Sequence, residues 1–165
     1  MNKKNSTTDN KTTKASARAQ RSYVMPVYKL QLVRDGEIMT SEVRGAVDIA
    51  RNFSDVAISD RETMVVIFLD AKNRIIGRHT VSMGTVNATI AMGRDIFRAA
   101  LVAGVVNAII LVHNHPSGVT TPSSEDDSLT HKISLAGTLL DIELFDHVIL
   151  GPDGSYFSYA DQRRI

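Results

Sequence analysis

The sequence contains no cysteine and no tryptophan, and aromatic residues make up only 5% of its 165 residues. The absence of cysteine excludes a disulfide scaffold, a thiol nucleophile, a cysteine-ligated zinc site and an iron–sulfur cluster. So few aromatic rings make a stacking platform for single-stranded nucleic acid a poor fit. Hydrophobic residues make up 43% and charged residues 22%, which is typical of a soluble globular protein.

Long hydrophobic runs are also missing. No apolar run reaches the roughly 18 residues that a membrane helix needs. The first residues are polar and lack the apolar core of a signal peptide. We therefore expect a cytoplasmic protein with no membrane contact. A chain of 165 residues suits one domain that buries a core of its own.

Charge is distributed unevenly along the chain. Residues 1–22 hold six Lys or Arg and one acid, Asp9, whereas residues 23–165 carry a net charge of −4. The first segment is rich in Asn, Ser and Thr, so we expect a disordered basic tail ahead of a domain at 23–165. The favoured interpretation of the tail is a solubilising leader, and the alternative is a weak contact with nucleic acid or another acidic partner.

Apolar patterning predicts an α/β (α+β) domain with a central mixed sheet, built largely from hairpins, and helices packed on it. The predicted elements are strands at 27–33, 64–69, 74–83, 105–112 and 142–150, a short last strand after the turn at 151–154, helices at 42–53, 94–103 and 123–140, and a loop at 84–93.

Two histidines, His113 and His115, stand at the end of a buried apolar run, just before a Pro-Ser-Gly turn. Side chains at i and i+2 of a strand share a face, so the two imidazoles converge. Asp126 lies in the first turn of the next predicted helix, where it could complete a set of two histidines and one carboxylate. Three protein ligands plus one water is typical of catalytic zinc sites.

Other interpretations of these residues exist. The spacing from Ser123 to Asp126 also suits a helix N-cap, and Ser124 and Asp127 repeat it one residue later, so spacing alone does not choose between the frames. A single histidine is more often a core or surface residue, but two at i and i+2 favour a metal. A zinc deaminase needs Cys-x-x-Cys, a (β/α)₈ amidohydrolase needs a longer chain, and His-Glu-x-x-His is absent. The letters His-Asn-His match the HNH nuclease name only by accident.

The pattern His113-x-His115, seven residues, then Ser123-x-x-Asp126, resembles the motif of the JAMM (JAB/MPN) metalloproteases. The resemblance favours this frame over the one a residue later. The wider sequence, from about 42 to 161, is similar to bacterial RadC-like JAB proteins. Full-length members carry an N-terminal region with helix–hairpin–helix character, and we expect this chain to be a short form without it. The similar segments are 66–70, 84–87, 94–100, 113–118 and 144–149.

The resemblance implies a zinc-dependent hydrolase that cleaves a peptide or isopeptide bond with a metal-activated water. It implies one Zn²⁺ per chain on His113, His115 and Asp126, with Glu62 as general base and Ser123 as donor to the oxyanion. From the residues alone, Glu62 is equally well an exposed acid at the start of a buried strand. The motif does not specify the protein or peptide substrate, nor the oligomeric state.

Two other functions stay open. A DNA-repair-associated protein that binds nucleic acid or cleaves it is favoured by the basic tail and disfavoured by the acidic body. A non-catalytic MPN scaffold is disfavoured because every ligand and acid–base position is filled. The pair Asp146 and His147, on an apolar strand, predicts either support behind a metal ligand or, more simply, a buried structural pair.

Overall fold

The computed structural model describes residues 43–83 and 89–165, which form a five-stranded sheet with helices on both faces. The elements are α1 (Ala46–Asn52), α2 (Ser54–Ala57), β1 (Thr63–Leu69), β2 (Ile75–Met83), α3 (Thr89–Ala103), β3 (Ala108–Asn114), α4 (Ser124–Leu140), β4 (Glu143–Leu150) and β5 (Tyr156–Ser158). The strand order is β2-β1-β3-β4-β5. The pairing of β3 with β4 is parallel and the other three pairings are antiparallel, which confirms the predicted mixed sheet.

The two strands at the centre of the sheet, β1 and β3, are buried along their whole length. Both are mostly apolar because each of their faces meets a separate core. One core packs the sheet against α1 and α2 and includes Ile67 and Ile110, and the other packs it against α3 and α4 and includes Val66 and Leu111. Because both faces of β1 and β3 are packed, the end of β3 has a fixed position.

A bulge in β4 decides which of its side chains face α4. Ile109 pairs with Leu144 and Ile110 pairs with Asp146, which leaves Phe145 as an extra residue. Because side chains alternate along a strand, one extra residue reverses the faces of all that follow. His147 therefore lies opposite Leu111, on the face covered by α3 and α4.

Two predicted boundaries were wrong. The helix predicted at 42–53 begins at Ala46, because the chain before it is bonded elsewhere: Val43 donates its backbone N–H to the carbonyl of Asn73 at 3.0 Å. The loop predicted at 84–93 was wrong from Thr89 onward, where α3 already begins. Gly93 lies inside that helix rather than at its boundary, and a Cβ there would stand 3.5 Å from Ile133 of α4.

The strand predicted at 105–112 was also displaced, because β3 runs from Ala108 to Asn114. The other predicted elements agree with the structure within one residue or lie outside it. The helix predicted at 123–140 is α4 with Ser123 as its N-cap, and α3 ends before Gly104, whose φ is 98°. The tail at 1–22, the strand at 27–33 and residues 84–88 lie outside the described residues. Within the described part of the chain, no helix is both long enough and apolar enough to cross a membrane.

Candidate metal centre

Three predicted ligands meet where β3 ends and α4 begins. The Nε2 atoms of His113 and His115 are 3.0 Å apart. The carboxylate of Asp126 lies 3.2 Å from the first through Oδ1 and 3.4 Å from the second through Oδ2. Ligand atoms roughly 2.0–2.2 Å from a tetrahedral zinc ion are about 3.3–3.5 Å apart, so this spacing suits one ion. The described residues form no other such group of His, Cys, Asp and Glu.

Asp126 is oriented by the first turn of α4. Ser123 is the N-cap: its hydroxyl accepts from the backbone N–H of Asp126 at 3.1 Å, and its own N–H donates to Oδ2 of Asp126 at 2.8 Å. This reciprocal pair is a capping box. Burial raises the pKa of Asp126, but the neighbouring His113 and the hydrogen bonds from Ser123 outweigh burial and hold that pKa well below its usual range. The carboxylate is therefore ionised and fixed in place.

His115 is oriented by the loop that follows β3. Its Nδ1 lies 2.6 Å from the carbonyl oxygen of Val119. A carbonyl only accepts, so Nδ1 carries a hydrogen, and in the uncharged form of the imidazole Nε2 has a free lone pair. The loop turns at Gly118, whose φ of 76° lies in the region that favours glycine and whose N–H donates to the carbonyl of His115 at 2.8 Å.

His113 is oriented from the core. Its side chain is fully buried, and its Nδ1 lies 2.9 Å from Nε2 of His147 on β4. Burial and the nearby His113 lower the pKa of His147 well below 6.5, so this ring is neutral. The other nitrogen of His147, Nδ1, lies 2.6 Å from the hydroxyl of Thr130 on α4. The aromatic ring of Tyr159 stacks on His147 with centroids 5.0 Å apart.

The donor set fits a divalent cation. Two imidazole nitrogens and one ionised carboxylate converge with their electron-pair donors facing each other, and a cation between them relieves that repulsion. Imidazole and carboxylate are ligands that zinc takes, and each imidazole has a hydrogen-bonding partner on its far nitrogen, as metal-bound histidines almost always do. The residues present therefore fit a metal ion, and they do not specify which one.

Glu62 lies at the same end of the sheet as this cluster. In the antiparallel pair of β1 and β3, Met64 is opposite His113. Glu62 is the residue just before β1, and His115 is the residue just after β3. The side chain of Glu62 is half-buried. The role of general base for Glu62 stays a prediction.

Ser123 lies at the rim of the cluster and is bound to Asp126. Its hydroxyl donates to Oδ2 of Asp126 at 2.6 Å, so a role as donor to a substrate oxyanion requires the hydroxyl to turn. The alternative frame one residue later is not part of the cluster. Ser124 donates to Glu125, and Asp127 accepts from Tyr159 at 2.7 Å and pairs with Arg164.

Sequence reasoning missed part of the surroundings of the histidines. The pair Asp146 and His147 was interpreted mainly as structural, yet His147 contacts His113 directly. Thr130 was not singled out, although it stands four residues after Asp126 and therefore on the same helix face. The contact of His115 with the carbonyl of Val119 uses only the backbone of Val119, so the identity of that residue gives no sign of it. The other two histidines of the chain, His79 and His131, are exposed and are not part of the cluster.

Comparison with known proteins supplies the family. The family model described as the RadC-like JAB domain matches residues 43–164. A UPF0758 protein of Thermotoga maritima is 36% identical over 132 residues, which cover 80% of this chain and 59% of the relative. A UPF0758 protein of Chlorobaculum tepidum is 40% identical over 124 residues, covering 74% of this chain and 55% of the relative.

A UPF0758 protein of Methanosarcina mazei is 42% identical over 102 residues, which cover 62% of this chain and 44% of the relative. The chain thus spans about half the length of these curated relatives. The family match takes in nearly all of the described residues, including the cluster of two histidines and one aspartate. The chain belongs to the RadC-like JAB domain family.

Proposed function

We propose that this chain is a metal-dependent hydrolase of the JAMM type that cleaves a peptide or isopeptide bond. The observation that carries the proposal is the convergence of His113, His115 and Asp126, whose ligand atoms lie 3.0–3.4 Å apart. A set of three protein ligands leaves room for a water, as catalytic rather than structural zinc sites do. Zinc is the ion we expect, at one per chain.

The chain's own residues divide the remaining work. A bound divalent ion supplies a Lewis acid that lowers the pKa of water toward about 7. Glu62 then accepts a proton from the attacking water and passes it to the leaving amine. Ser123 turns its hydroxyl from Asp126 toward the scissile carbonyl oxygen as negative charge develops there. Removal of one such donor typically costs about 10²–10³ in rate.

The first test is metal content by elemental analysis of protein purified without a metal-binding tag. We expect one zinc per chain, lost in Asp126→Asn and retained in Asp127→Asn. The two aspartates are neighbours in the same helical turn, but Asp127 binds Tyr159 and Arg164 instead of the histidines. Wild-type protein that takes up no zinc at micromolar concentration would overturn the proposal.

The second test addresses catalysis. Zinc-loaded wild type and Glu62→Gln are incubated with a defined peptide library and with isopeptide-linked peptides, and products are measured by mass spectrometry. We expect Glu62→Gln to keep the metal and lose at least about 10²-fold in rate, because the proton acceptor is gone. Equal rates in the two proteins would remove Glu62 from the mechanism.

A nucleic-acid function remains the second candidate, favoured by the six basic residues in 1–22. Binding of duplex DNA to the full chain, measured at 50 and 200 mM salt, tests it. A steep loss of affinity with salt indicates phosphate contacts, because each contact releases a counterion. Affinity that is absent at both concentrations removes this candidate.

A further inference from the structure

Two buried residues behind His113 are not used by the proposed mechanism. We propose that Thr130 and His147 fix the tautomer of His113, so that its Nε2 carries no hydrogen and is free to bind a metal ion. The inference rests on the proposed metal centre and assigns both residues a positioning role in it. It concerns which nitrogen holds the hydrogen and leaves the net charge unchanged.

The geometry is a chain of three hydrogen bonds. The hydroxyl of Thr130 donates to the carbonyl oxygen of Asp126 at 2.6 Å. The same hydroxyl oxygen lies 2.6 Å from Nδ1 of His147. Nε2 of His147 lies 2.9 Å from Nδ1 of His113. The chain thus begins at the backbone of one metal ligand and ends at the ring of another.

The direction of these bonds follows from counting hydrogens. A hydroxyl has one hydrogen, and Thr130 uses it on the carbonyl of Asp126. Nδ1 of His147 must then donate to the hydroxyl oxygen. A neutral imidazole has one N–H, so Nε2 of His147 accepts, and Nδ1 of His113 donates to it. The remaining nitrogen of His113, its Nε2, is left with a lone pair that faces the ligand cluster.

Burial prevents water from replacing any of these hydrogen bonds. His113, Thr130 and His147 are all buried, so no solvent hydrogen bond can replace one that is lost. His147 is fully buried and neither of its ring nitrogens contacts a carboxylate, so the ring is uncharged and has a single N–H. Tyr159 stacks on the ring with an interplanar angle of 8° and fixes its plane. Every buried side-chain polar atom in the described residues has a partner.

Thr130→Val should reverse the direction of the hydrogen bond between His147 and His113. Valine has the shape of threonine but leaves Nδ1 of His147 without an acceptor. The tautomer with hydrogen on Nε2 of His147 then becomes favoured, because it avoids a buried unpaired N–H. That N–H donates to Nδ1 of His113 and moves the hydrogen of His113 to Nε2, which blocks the metal ligand.

The experiment measures zinc affinity by chelator competition in wild type and three variants. Thr130→Val should bind Zn²⁺ about 10–100-fold more weakly, the range typical of lost partners behind metal ligands. Thr130→Ser restores the hydroxyl and should bind close to the wild-type affinity. Thr138→Val is the matched control: its hydroxyl also donates back along α4, to Ser134 at 3.1 Å, but it is exposed and remote from the ligands.

A second readout does not depend on metal. ¹⁵N NMR of metal-free protein with labelled histidine rings reports which nitrogen carries the hydrogen. In wild type we expect the hydrogen on Nδ1 of both His113 and His147. In Thr130→Val we expect it on Nε2 of both. A structural role for Thr130 alone would lower stability without moving these signals.

The outcomes separate the two proposals. If wild type binds no Zn²⁺, the proposed function fails, while the NMR spectrum still decides the tautomer. If wild type binds Zn²⁺ and Thr130→Val binds it equally well, the inference about Thr130 and His147 fails and the metal centre stands. If Thr130→Val does not fold, the wild-type spectrum decides alone, and hydrogen on Nε2 of His147 overturns the inference.

Discussion

The two histidines of the candidate metal centre have the same chemistry but different support. The side chain of His113 is 0% exposed and contacts His147, a residue of a neighbouring strand. The side chain of His115 is 17% exposed and contacts a backbone carbonyl of Val119, in the loop between β3 and α4. The core-side ligand therefore depends on the identity of a side chain, whereas the loop-side ligand depends on the shape of the backbone.

The largest expected difference comes from removing each ligand. His113→Ala and His115→Ala should both lose the metal. In metal-free protein, His113→Ala should cost about 2–4 kcal/mol of unfolding free energy, because it opens a cavity and leaves His147 without its partner. His115→Ala should stay within about 0.5 kcal/mol of wild type, as partly exposed substitutions usually do.

Urea denaturation in the presence of a chelator measures both values. Equal destabilisation of the two variants would show that His113 and His115 are supported alike, and the contrast between core and loop would then be wrong.

A second prediction tests the backbone dependence of His115. Gly118 has a φ of 76° and Gly154 a φ of 85°. Alanine at either position should cost about 1–2 kcal/mol in left-handed backbone strain. Only Gly118→Ala should also weaken Zn²⁺ binding, because relief of that strain moves the carbonyl of Val119. A Cβ at Gly118 would meet Pro152 at an ordinary 3.7 Å, so crowding is not the cause.

Zinc titration of Gly118→Ala beside Gly154→Ala separates strain from ligand support. Weakened binding in both variants would mean that general loss of stability, and not the loop carbonyl, lowers the affinity.

The smallest effect concerns two carboxylates, one in the core and one in a surface turn. Buried Asp146 accepts from the N–H of His147, and burial raises the pKa of Asp146. Protonation of Asp146 therefore favours the folded form. This contribution to the free energy of unfolding is fully present below pH 3.8, and it is lost as the pH rises through the pKa of Asp146 in the folded protein. Exposed Asp153 has the opposite shift, because hydrogen bonds from Ser155 lower its pKa, so its contribution is lost as pH falls.

Urea titrations of Asp146→Asn and Asp153→Asn between about pH 2.5 and 7, each against wild type, measure these signs. As pH falls, wild type should gain stability relative to Asp146→Asn and lose it relative to Asp153→Asn. The same slope for both pairs would contradict the assignment of one carboxylate to the core and the other to the surface.

The fold was predictable where one physical signal acts alone. The continuous apolar run at 64–69 has no polar residue that could face solvent, so it predicted a strand buried on both faces. The loop predicted at 84–93 was extended to Gly93 because glycine is unfavourable inside helices. In the structure Gly93 lies within α3, beside Ile133 of the neighbouring helix. The start of α1 depends on a bond from Val43 to the distant Asn73, which no local pattern contains.

The candidate site divides in the same way. His113 and His115 were predictable because the i, i+2 relation at the end of a strand is local in sequence. The contact of His113 with His147 was not, because it depends on the bulge at Phe145 that turns His147 toward α4. Simple alternation counted from Leu144 puts His147 on the opposite face, where a structural role is the natural interpretation.

The parallel connection from β3 through α4 to β4 has a consequence for local stability. All three proposed ligands, and both residues behind His113, come from residues 108–150, which are continuous in sequence. A ligand that binds only the folded form adds its binding free energy to the unit it closes. Amide hydrogens in β3, in the first turn of α4 and in β4 should therefore exchange more slowly when zinc is added, while those of β2 at the sheet edge change least. A bound ion would hold this strand–helix–strand segment together reversibly. The rate at which the segment opens locally would then depend on the metal supply.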